Sequence, residues 1–302
     1  MSPTSLSRRS FFKLAAGASV LAIGADSIFW EPYHPQLTRL EIGLANLPDA
    51  FDGFTILQLS DFHYDPYAGA TQISAGIEVA RRLTVDLIVL TGDFVTQPIL
   101  PSKASLQRAA EHAIPCAKLL GKLQARMGAY AVLGNHDVGC DPAIVTEALQ
   151  HNGIPVLENR AVPIERAGNR IWLAGVGDAM ESRADLDKAL QGVDRQDPVI
   201  LLAHEPDFAD VATRRAVNLQ LSGHSHGGQI RLPFAGPLFL PPLAEKYPWG
   251  LRKVGGLTLY TNVGIGTIHV PVRWNCLPEV ALFTLRRGEQ KLSSETLLPA
   301  KS

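Results

Sequence analysis

The chain has 302 residues, of which 46% are hydrophobic and 19% are charged, so it can form a full apolar core and is not globally disordered. Its formal net charge of −1 and its sequence pI near 6.8 exclude the positive field with which proteins gather nucleic acid, and no nucleic-acid partner is predicted. Its three cysteines, Cys116, Cys140 and Cys276, are too few for a disulfide framework and are interpreted as ordinary thiols.

The N-terminus has the features of an export signal. Residues 7–13 read Ser-Arg-Arg-Ser-Phe-Phe-Lys, and an uncharged stretch follows from Leu14 to Ala25. This stretch is shorter than the roughly 20 apolar residues of a membrane span but has the length of an export-signal core, about 7–15 residues. The arginine pair with Phe-Phe-Lys resembles the twin-arginine signature. We therefore predict a signal peptide over residues 1–24, with uncertain cleavage or retention as an anchor, and one domain over residues 25–302.

A twin-arginine signal implies export of an already folded protein by the Tat machinery. The expected location is the periplasm or the outer face of the cytoplasmic membrane. Export in the folded state also explains why an exported protein shows no disulfide pattern.

Five short apolar runs are predicted to be buried strands, and polar residues follow each of them. Runs of five to seven mostly apolar, partly β-branched residues are typical of strands covered on both faces. The runs start at Phe54, Asp86, Ala129, Pro198 and Val217, and they lead to Asp61-Phe-His63, Gly92-Asp93, Gly134-Asn-His-Asp137, His204 and Gly223-His-Ser-His226.

Amphipathic segments between these runs are predicted to be helices. They cover residues 71–83, 103–123 and 183–191, and another helix begins at Asp141-Pro142, where an N-cap precedes a proline at the first helical position. Further strands are expected over 257–262 and 279–285. Strands that alternate with helices indicate a layered α/β fold, in which ligands bind beyond the carboxyl ends of the strands.

A segment rich in proline and aromatic residues, 233–250, is predicted to be a long ordered loop near the site. Its apolar side chains, Phe239 and Leu240 among them, either pack on the edge of the fold or form an apolar wall for the non-phosphate part of a substrate.

The polar residues that follow the strands suit divalent metal ions. Carboxylate, carboxamide and imidazole together favour metals of intermediate hardness, and seven such groups would fill two sites that share a ligand. Two ions about 3.5–4 Å apart can clamp the attacking and leaving oxygens of a displacement at phosphorus. The candidate ligands are Asp61, His63, Asp93, Asn135, His204, His224 and His226.

These motifs, in this order, resemble those of the calcineurin-like metallophosphoesterases, over about residues 54–230. The resemblance implies a four-layer α/β/β/α sandwich with two divalent ions (manganese, iron or zinc, with manganese favoured) at the carboxyl ends of the strands. It further implies that His136 contacts the phosphate or protonates the leaving oxygen, with Asp137 orienting it. In the implied ligand assignment the first metal takes Asp61, His63 and His226, the second takes Asn135, His204 and His224, and Asp93 bridges both.

Further residues resemble one branch of that family, the small bacterial phosphodiesterases of the cell envelope. They are the stretch Gly223–Pro233, Gly264-Ile-Gly-Thr and Pro271-Val-Arg-Trp-Asn. The implied partner is a phosphodiester substrate, a lipid or a wall polymer, with possible contact to a membrane surface. The alternatives are a phosphomonoesterase, a pyrophosphohydrolase acting on a lipid-linked nucleotide of the UDP-diacylglucosamine type, and a catalytically silent metal-binding scaffold.

Three further polar residues have open roles in the sequence. Asp178 either lines the site or forms a turn, and Arg231 and Arg273 either contact phosphate or serve the structure.

Overall fold

The structure is a computed structural model, and it describes residues 7–290. The helices described are α1 (Arg8–Phe29), α2 (Gly69–Ala80), α3 (Lys103–Glu111), α4 (Ala113–Leu120), α5 (Asn135–Cys140), α6 (Pro142–His151), α7 (Leu186–Ala189) and α8 (Ala209–Ala212). The strands described are β1 (Gln36–Leu44), β2 (Thr55–Leu59), β3 (Leu87–Leu90), β4 (Ala129–Ala131), β5 (Arg160–Arg166), β6 (Asn169–Gly175), β7 (Val199–Leu202), β8 (Leu219–Ser222), β9 (Arg231–Leu232), β10 (Gly236–Pro237), β11 (Gly250–Val254), β12 (Leu257–Thr261) and β13 (Glu279–Arg287).

Two sheets form the centre of the fold. The first has the order β1-β13-β2-β3-β4, and the second has the order β11-β12-β8-β7-β6-β5. Strands β2, β3 and β4 are parallel to one another, as are β6, β7, β8 and β12. Strands β3, β7, β8 and β12 are buried along their whole length. Burial on both faces explains why β3 and β7 read as continuous apolar runs.

The sheets stack face to face between two outer layers of helices. Phe54, Val89 and Leu221 belong to the apolar cluster between the sheets. Helices α2, α4 and α6 cover the outer face of the first sheet, and the short helices α7 and α8 pack on the second. This arrangement confirms the expected α/β/β/α sandwich.

The five predicted strands and the cap at Asp141 are confirmed, whereas two helix predictions are wrong in extent. The predicted helix over 103–123 is divided at His112 into α3 and α4. Pro115 has no N–H to donate to the carbonyl four residues earlier, so the helix begins afresh just before it. The predicted helix over 183–191 is reduced to α7, whose N-cap Asp185 accepts the amide of Lys188.

The N-terminal helix α1 is longer than the uncharged stretch in the sequence. It has 22 residues, and by length and composition it is sufficient to cross a membrane, as an anchor or as a signal. The twelve residues from Leu14 to Ala25 are therefore only part of this apolar helix.

Candidate metal centre

Parallel strands from both sheets end at one edge, and the predicted ligands lie there. Asp61 and His63 follow β2, Asp93 follows β3, and Asn135 begins α5 after β4. His204 follows β7, and His224 and His226 follow β8. Because the sheets are stacked, residues as far apart in sequence as 61 and 224 come into contact: the amide of His224 donates to Asp61 Oδ1 at 2.8 Å.

Four of these side chains form a first group. One ligand atom from each of Asp61, His63, Asp93 and His226 lies within 4.8 Å of the others. The Nε2 atoms of His63 and His226 are 2.9 Å apart, and His226 Nε2 is 3.6 Å from Asp61 Oδ1. All four residues are buried.

Asp93 also belongs to a second group, with His204 and His224. Asp93 Oδ2 is 3.4 Å from His63 Nε2 in the first group and 3.2 Å from His204 Nε2 in the second. His224 Nδ1 lies 3.2 Å from His204 Nε2. A single carboxylate oxygen therefore lies between the two groups, which is the position that a bridging ligand requires.

Backbone carbonyls select the nitrogen that two histidines present to the site. His204 Nδ1–H donates to the Thr91 carbonyl at 2.6 Å, and His224 Nε2–H donates to the Pro242 carbonyl at 2.9 Å. In the neutral rings, His204 Nε2 and His224 Nδ1 are consequently the nitrogens that face the site with a lone pair. Such outer hydrogen bonds commonly set the tautomer and orientation of metal-binding histidines.

The local electrostatics favour the metal-binding protonation state at Asp93, His224 and His226. At His204 burial lowers the pKa, but the neighbouring Asp93 carboxylate outweighs it and raises the pKa well above its usual value. Burial, followed by the neighbouring His204, lowers the pKa of His224 to about 4, and burial also lowers the pKa of His226. Burial opposes the ionisation of Asp93, but His204 and His136 outweigh it and hold the pKa of Asp93 well below its usual value. Neutral imidazoles and an ionised carboxylate are the forms that coordinate metal.

Two oxygens provide a test of whether metal ions fit. Asp61 Oδ2 and Asn135 Oδ1 are buried, and neither has a hydrogen-bond partner in the described chain. Burial raises the pKa of Asp61, so its charged form lacks compensation from protein groups alone. Buried charge without a partner is costly, and a divalent cation would compensate it. The donor set, oxygen and imidazole nitrogen in two groups, therefore fits two divalent ions.

The backbone at the site is strained. Five of the predicted ligands have a backbone φ between 43° and 69°, a conformation that residues other than glycine seldom adopt. They are Asp61, His63, Asp93, His224 and His226. The motif glycines have a steric reason, because a Cβ at Gly134 would collide with Asp93 Oδ1 and a Cβ at Gly223 would collide with Ser60 Oγ.

His136 lies beside the ligands but is held differently. Its backbone amide donates to Asp93 Oδ1 at 3.0 Å, and its Nδ1 accepts the amide of Gln97 at 2.8 Å. Burial lowers the pKa of His136 to about 3, so the ring is neutral and its proton resides on Nε2. The ring lines a cavity of about 90 Å³ together with Asp93, Asn135 and His224. His136 can therefore donate a hydrogen bond from Nε2 to a bound anion.

The expectation that Asp137 orients the His136 ring is wrong. The Asp137 carboxylate instead accepts the backbone amides of Asp93, Phe94, Val95 and Gly134, at 2.8–3.2 Å. The His136 ring nitrogen Nδ1 instead accepts the amide of Gln97 at 2.8 Å. Asp137 thus fixes the loop that carries Asp93.

Asp178, Arg231 and Arg273, for which the sequence left both a site role and a structural role open, each make structural contacts. Asp178 Oδ1 accepts the amide of Glu181 at 2.7 Å, as a turn former does. Arg231 donates to the Gly227 carbonyl and stacks on Trp249. Arg273 is fully buried and donates to the backbone carbonyls of Val263, Gly264, Gly266 and Cys276.

Sequence reasoning missed residues that line the cavity from distant loops. Phe239, Met180 and Ile268 line the cavity. Phe239 lies in the segment 233–250 that the sequence analysis singled out, whereas no sequence pattern pointed to Met180 or Ile268. The role of Gln97 in holding His136 was equally invisible, because its backbone amide makes the contact.

Comparisons with known proteins agree with this geometry. The calcineurin-like phosphoesterase family matches residues 54–228. The uncharacterized metallophosphoesterase YkuE of Bacillus subtilis (strain 168) is 35% identical over 289 residues, which cover 93% of this chain and 98% of that protein. The phosphodiesterase YaeI of Escherichia coli (strain K12) is 31% identical over 284 residues, covering 93% and 99%. A transmembrane protein with metallophosphoesterase domain from Danio rerio is 31% identical over 269 residues, and the match spans 84% of this chain but 58% of that protein.

Proposed function

The chain belongs to the calcineurin-like phosphoesterase family, and from this premise we propose that it hydrolyses phosphodiesters of the cell envelope with two divalent metal ions. The observation that supports the proposal best is the position of Asp93 Oδ2 between two groups of buried ligands at the carboxyl ends of the strands. The similarity to the phosphodiesterase YaeI favours a diester over a monoester substrate.

The ligands divide between two ions in this proposal. Asp61, His63 and His226 would hold one ion, and Asn135, His204 and His224 would hold the other. Asp93 would serve both. When bound, the two ions supply Lewis-acid chemistry, lowering the pKa of water and stabilising negative charge on phosphate oxygens.

The protein contributes orientation and one hydrogen-bond donor. His136 presents Nε2–H to a phosphate oxygen or to the leaving oxygen, because Nδ1 is already occupied by the Gln97 amide. A donor fixed in advance stabilises developing charge without reorganisation during the reaction. Asp137 keeps Asp93 in place through the four amides that it accepts.

The proposed activity is tested by comparing two chromogenic substrates. We expect the full chain with Mn²⁺ to hydrolyse bis(p-nitrophenyl) phosphate faster than p-nitrophenyl phosphate. EDTA should abolish both reactions, because the proposed chemistry depends on the metal ions. Faster cleavage of the monoester would indicate a phosphomonoesterase. Hydrolysis of neither substrate with Mn²⁺, Fe²⁺ or Zn²⁺ would indicate a silent metal-binding scaffold.

Export is proposed to follow the twin-arginine route and to place the site on the outer side of the cytoplasmic membrane. The double substitution Arg8→Lys with Arg9→Lys should leave the folded protein in the cytoplasm, as measured by cell fractionation and immunoblotting. The matched control is Arg81→Lys with Arg82→Lys, an exposed arginine pair after α2 that should not affect export. Normal export of the Arg8/Arg9 variant would contradict the twin-arginine proposal.

A further inference from the structure

Large apolar side chains are exposed at one edge of the fold. Apart from those on α1 and Trp30, eleven large apolar side chains are exposed in the described chain. Nine of them lie on segments that follow β2, β3, β6, β8 or β12, the strands that end at the edge with the candidate metal centre. They are Tyr67, Ile99, Leu100, Met180, Phe234, Leu238, Phe239, Leu243 and Val270. The remaining two, Ile114 and Val211, lie on α4 and α8. We refer to the nine residues as the apolar rim.

Two residues of the apolar rim line the site, and two more lie next to residues that contact it. Met180 and Phe239 line the cavity that contains His136. The Gln97 amide that holds His136 lies two residues before Ile99. Gln229 and Ile268 line the same cavity, and the Gln229 side chain accepts the amide of Ile268 at 2.8 Å and donates to the Val270 carbonyl at 3.3 Å. Exposed apolar surface of this kind marks a contact with a partner or a membrane.

Helix α1 is long and apolar enough to anchor this edge to a membrane. Its 22 residues rise about 1.5 Å each, which gives a length close to the roughly 30 Å of a hydrocarbon core. Its C-terminal end is docked on the same loop, 262–278, that carries Val270. The Ser27 carbonyl accepts the amide of Arg273 at 3.0 Å, and the Glu31 carboxylate accepts the amide of Asn275 at 2.9 Å.

The charges on α1 define its orientation. Arg8, Arg9 and Lys13 lie at the end away from the domain. Positive residues favour the cytoplasmic side of a membrane, so an inserted α1 leaves the domain outside. The docked end then holds loop 262–278, and with it Val270 of the apolar rim, close to the outer surface of the bilayer.

We propose that the apolar rim is a membrane-contact surface, with α1 retained as the anchor, and that the site opens onto the phosphodiester headgroups of bilayer lipids. The substrate part of this inference rests on the proposed phosphodiesterase function, whereas the contact itself does not. Apolar side chains at the edge of a protein enter the boundary between headgroups and acyl chains. A lipid headgroup diester is then presented directly to the cavity beside His136.

The orientation is tested with dye-labelled full chain reconstituted in vesicles of phosphatidylethanolamine and phosphatidylglycerol. In a Cys140→Ser background, Phe234→Cys and the matched control Ile114→Cys each carry an environment-sensitive dye; the wild-type side chains are 100% and 56% exposed. The dye at 234 should shift to the blue and be quenched by brominated lipids, and the dye at 114 should not. The same emission shift and quenching at positions 234 and 114 would overturn the proposal. A shift at position 234 that occurs without vesicles and grows with protein concentration would also overturn it, because it would show that a second copy of the chain covers the rim.

The use of this surface in catalysis is tested with Ile99→Ser plus Leu100→Ser, which replace side chains that are 74% and 86% exposed. Hydrolysis of phosphatidylglycerol in vesicles should fall tenfold or more, while hydrolysis of bis(p-nitrophenyl) phosphate stays unchanged. The control Ile114→Ser plus Val211→Ser should change neither rate.

The outcomes separate the two proposals. Unchanged vesicle hydrolysis by the Ile99/Leu100 variant would overturn the catalytic role of the rim. Wild-type cleavage of the soluble diester without cleavage of the vesicle lipid would overturn the lipid-headgroup substrate. If the wild type does not hydrolyse bis(p-nitrophenyl) phosphate, the proposed function is refuted. The dye experiment then decides the membrane contact by itself.

Discussion

Replacing Asp93 with asparagine should leave the protein with fewer than two metal ions per chain and with little activity. Asp93 Oδ2 lies between His63 Nε2 and His204 Nε2, so its charge is shared by both proposed ions. Loss of several kcal/mol of transition-state stabilisation corresponds to roughly a thousandfold or larger fall in the rate. Elemental analysis measures the metal content, and hydrolysis of bis(p-nitrophenyl) phosphate measures the rate.

A second buried aspartate, at the other end of the same strand β3, supplies the control. Asp86 precedes β3 at the opposite end from Asp93 and is paired with Arg126 at 2.9 Å. Asp86→Asn should lower thermal stability but retain both ions and the wild-type rate. Full metal content in Asp93→Asn, equal to that of Asp86→Asn, would refute the bridging role.

Replacing His136 with alanine should separate chemistry from metal binding. The ring presents its Nε2–H to the cavity, while its other nitrogen is satisfied by Gln97. Removal of a positioned proton donor typically costs about 10²–10⁴ in rate. We therefore expect a fall of that size in kcat with both ions retained.

The neighbouring His269 is the matched control for His136. Its ring centroid is 6.1 Å from that of His136, but it is exposed on loop 262–278. His269→Ala should leave both the rate and the metal content close to those of the wild type. Loss of metal in His136→Ala would mean that His136 is a ligand.

Several elements were predictable because their determinants are local. Strands β3 and β7 are buried on both faces, so their sequences are short apolar runs that can be recognised alone. The cap at Asp141 and the following proline mark the start of α6 in the same way. Strand β1 was missed because its exposure alternates irregularly, and its partner β13 lies more than 200 residues away.

The division of α3 from α4 shows how a local signal can be outweighed. The amphipathic pattern over 103–123 favours one helix, but the missing N–H of Pro115 prevents a continuous hydrogen-bond ladder. Pro115 was visible in the sequence, but the amphipathic pattern on both sides of it favoured one continuous helix.

The sequence by itself determined the types and order of the candidate ligands, because glycine, aspartate, asparagine and histidine follow each strand at short and regular distances. Only the tertiary structure decided which atoms meet. The stacking of two sheets places Asp93 Oδ2 between histidines from different strands and assigns the amides of four residues to Asp137. The same packing gathers the apolar rim from loops across the chain. These contacts join residues distant in sequence and often involve backbone atoms, which every residue type shares, so no local pattern encodes them.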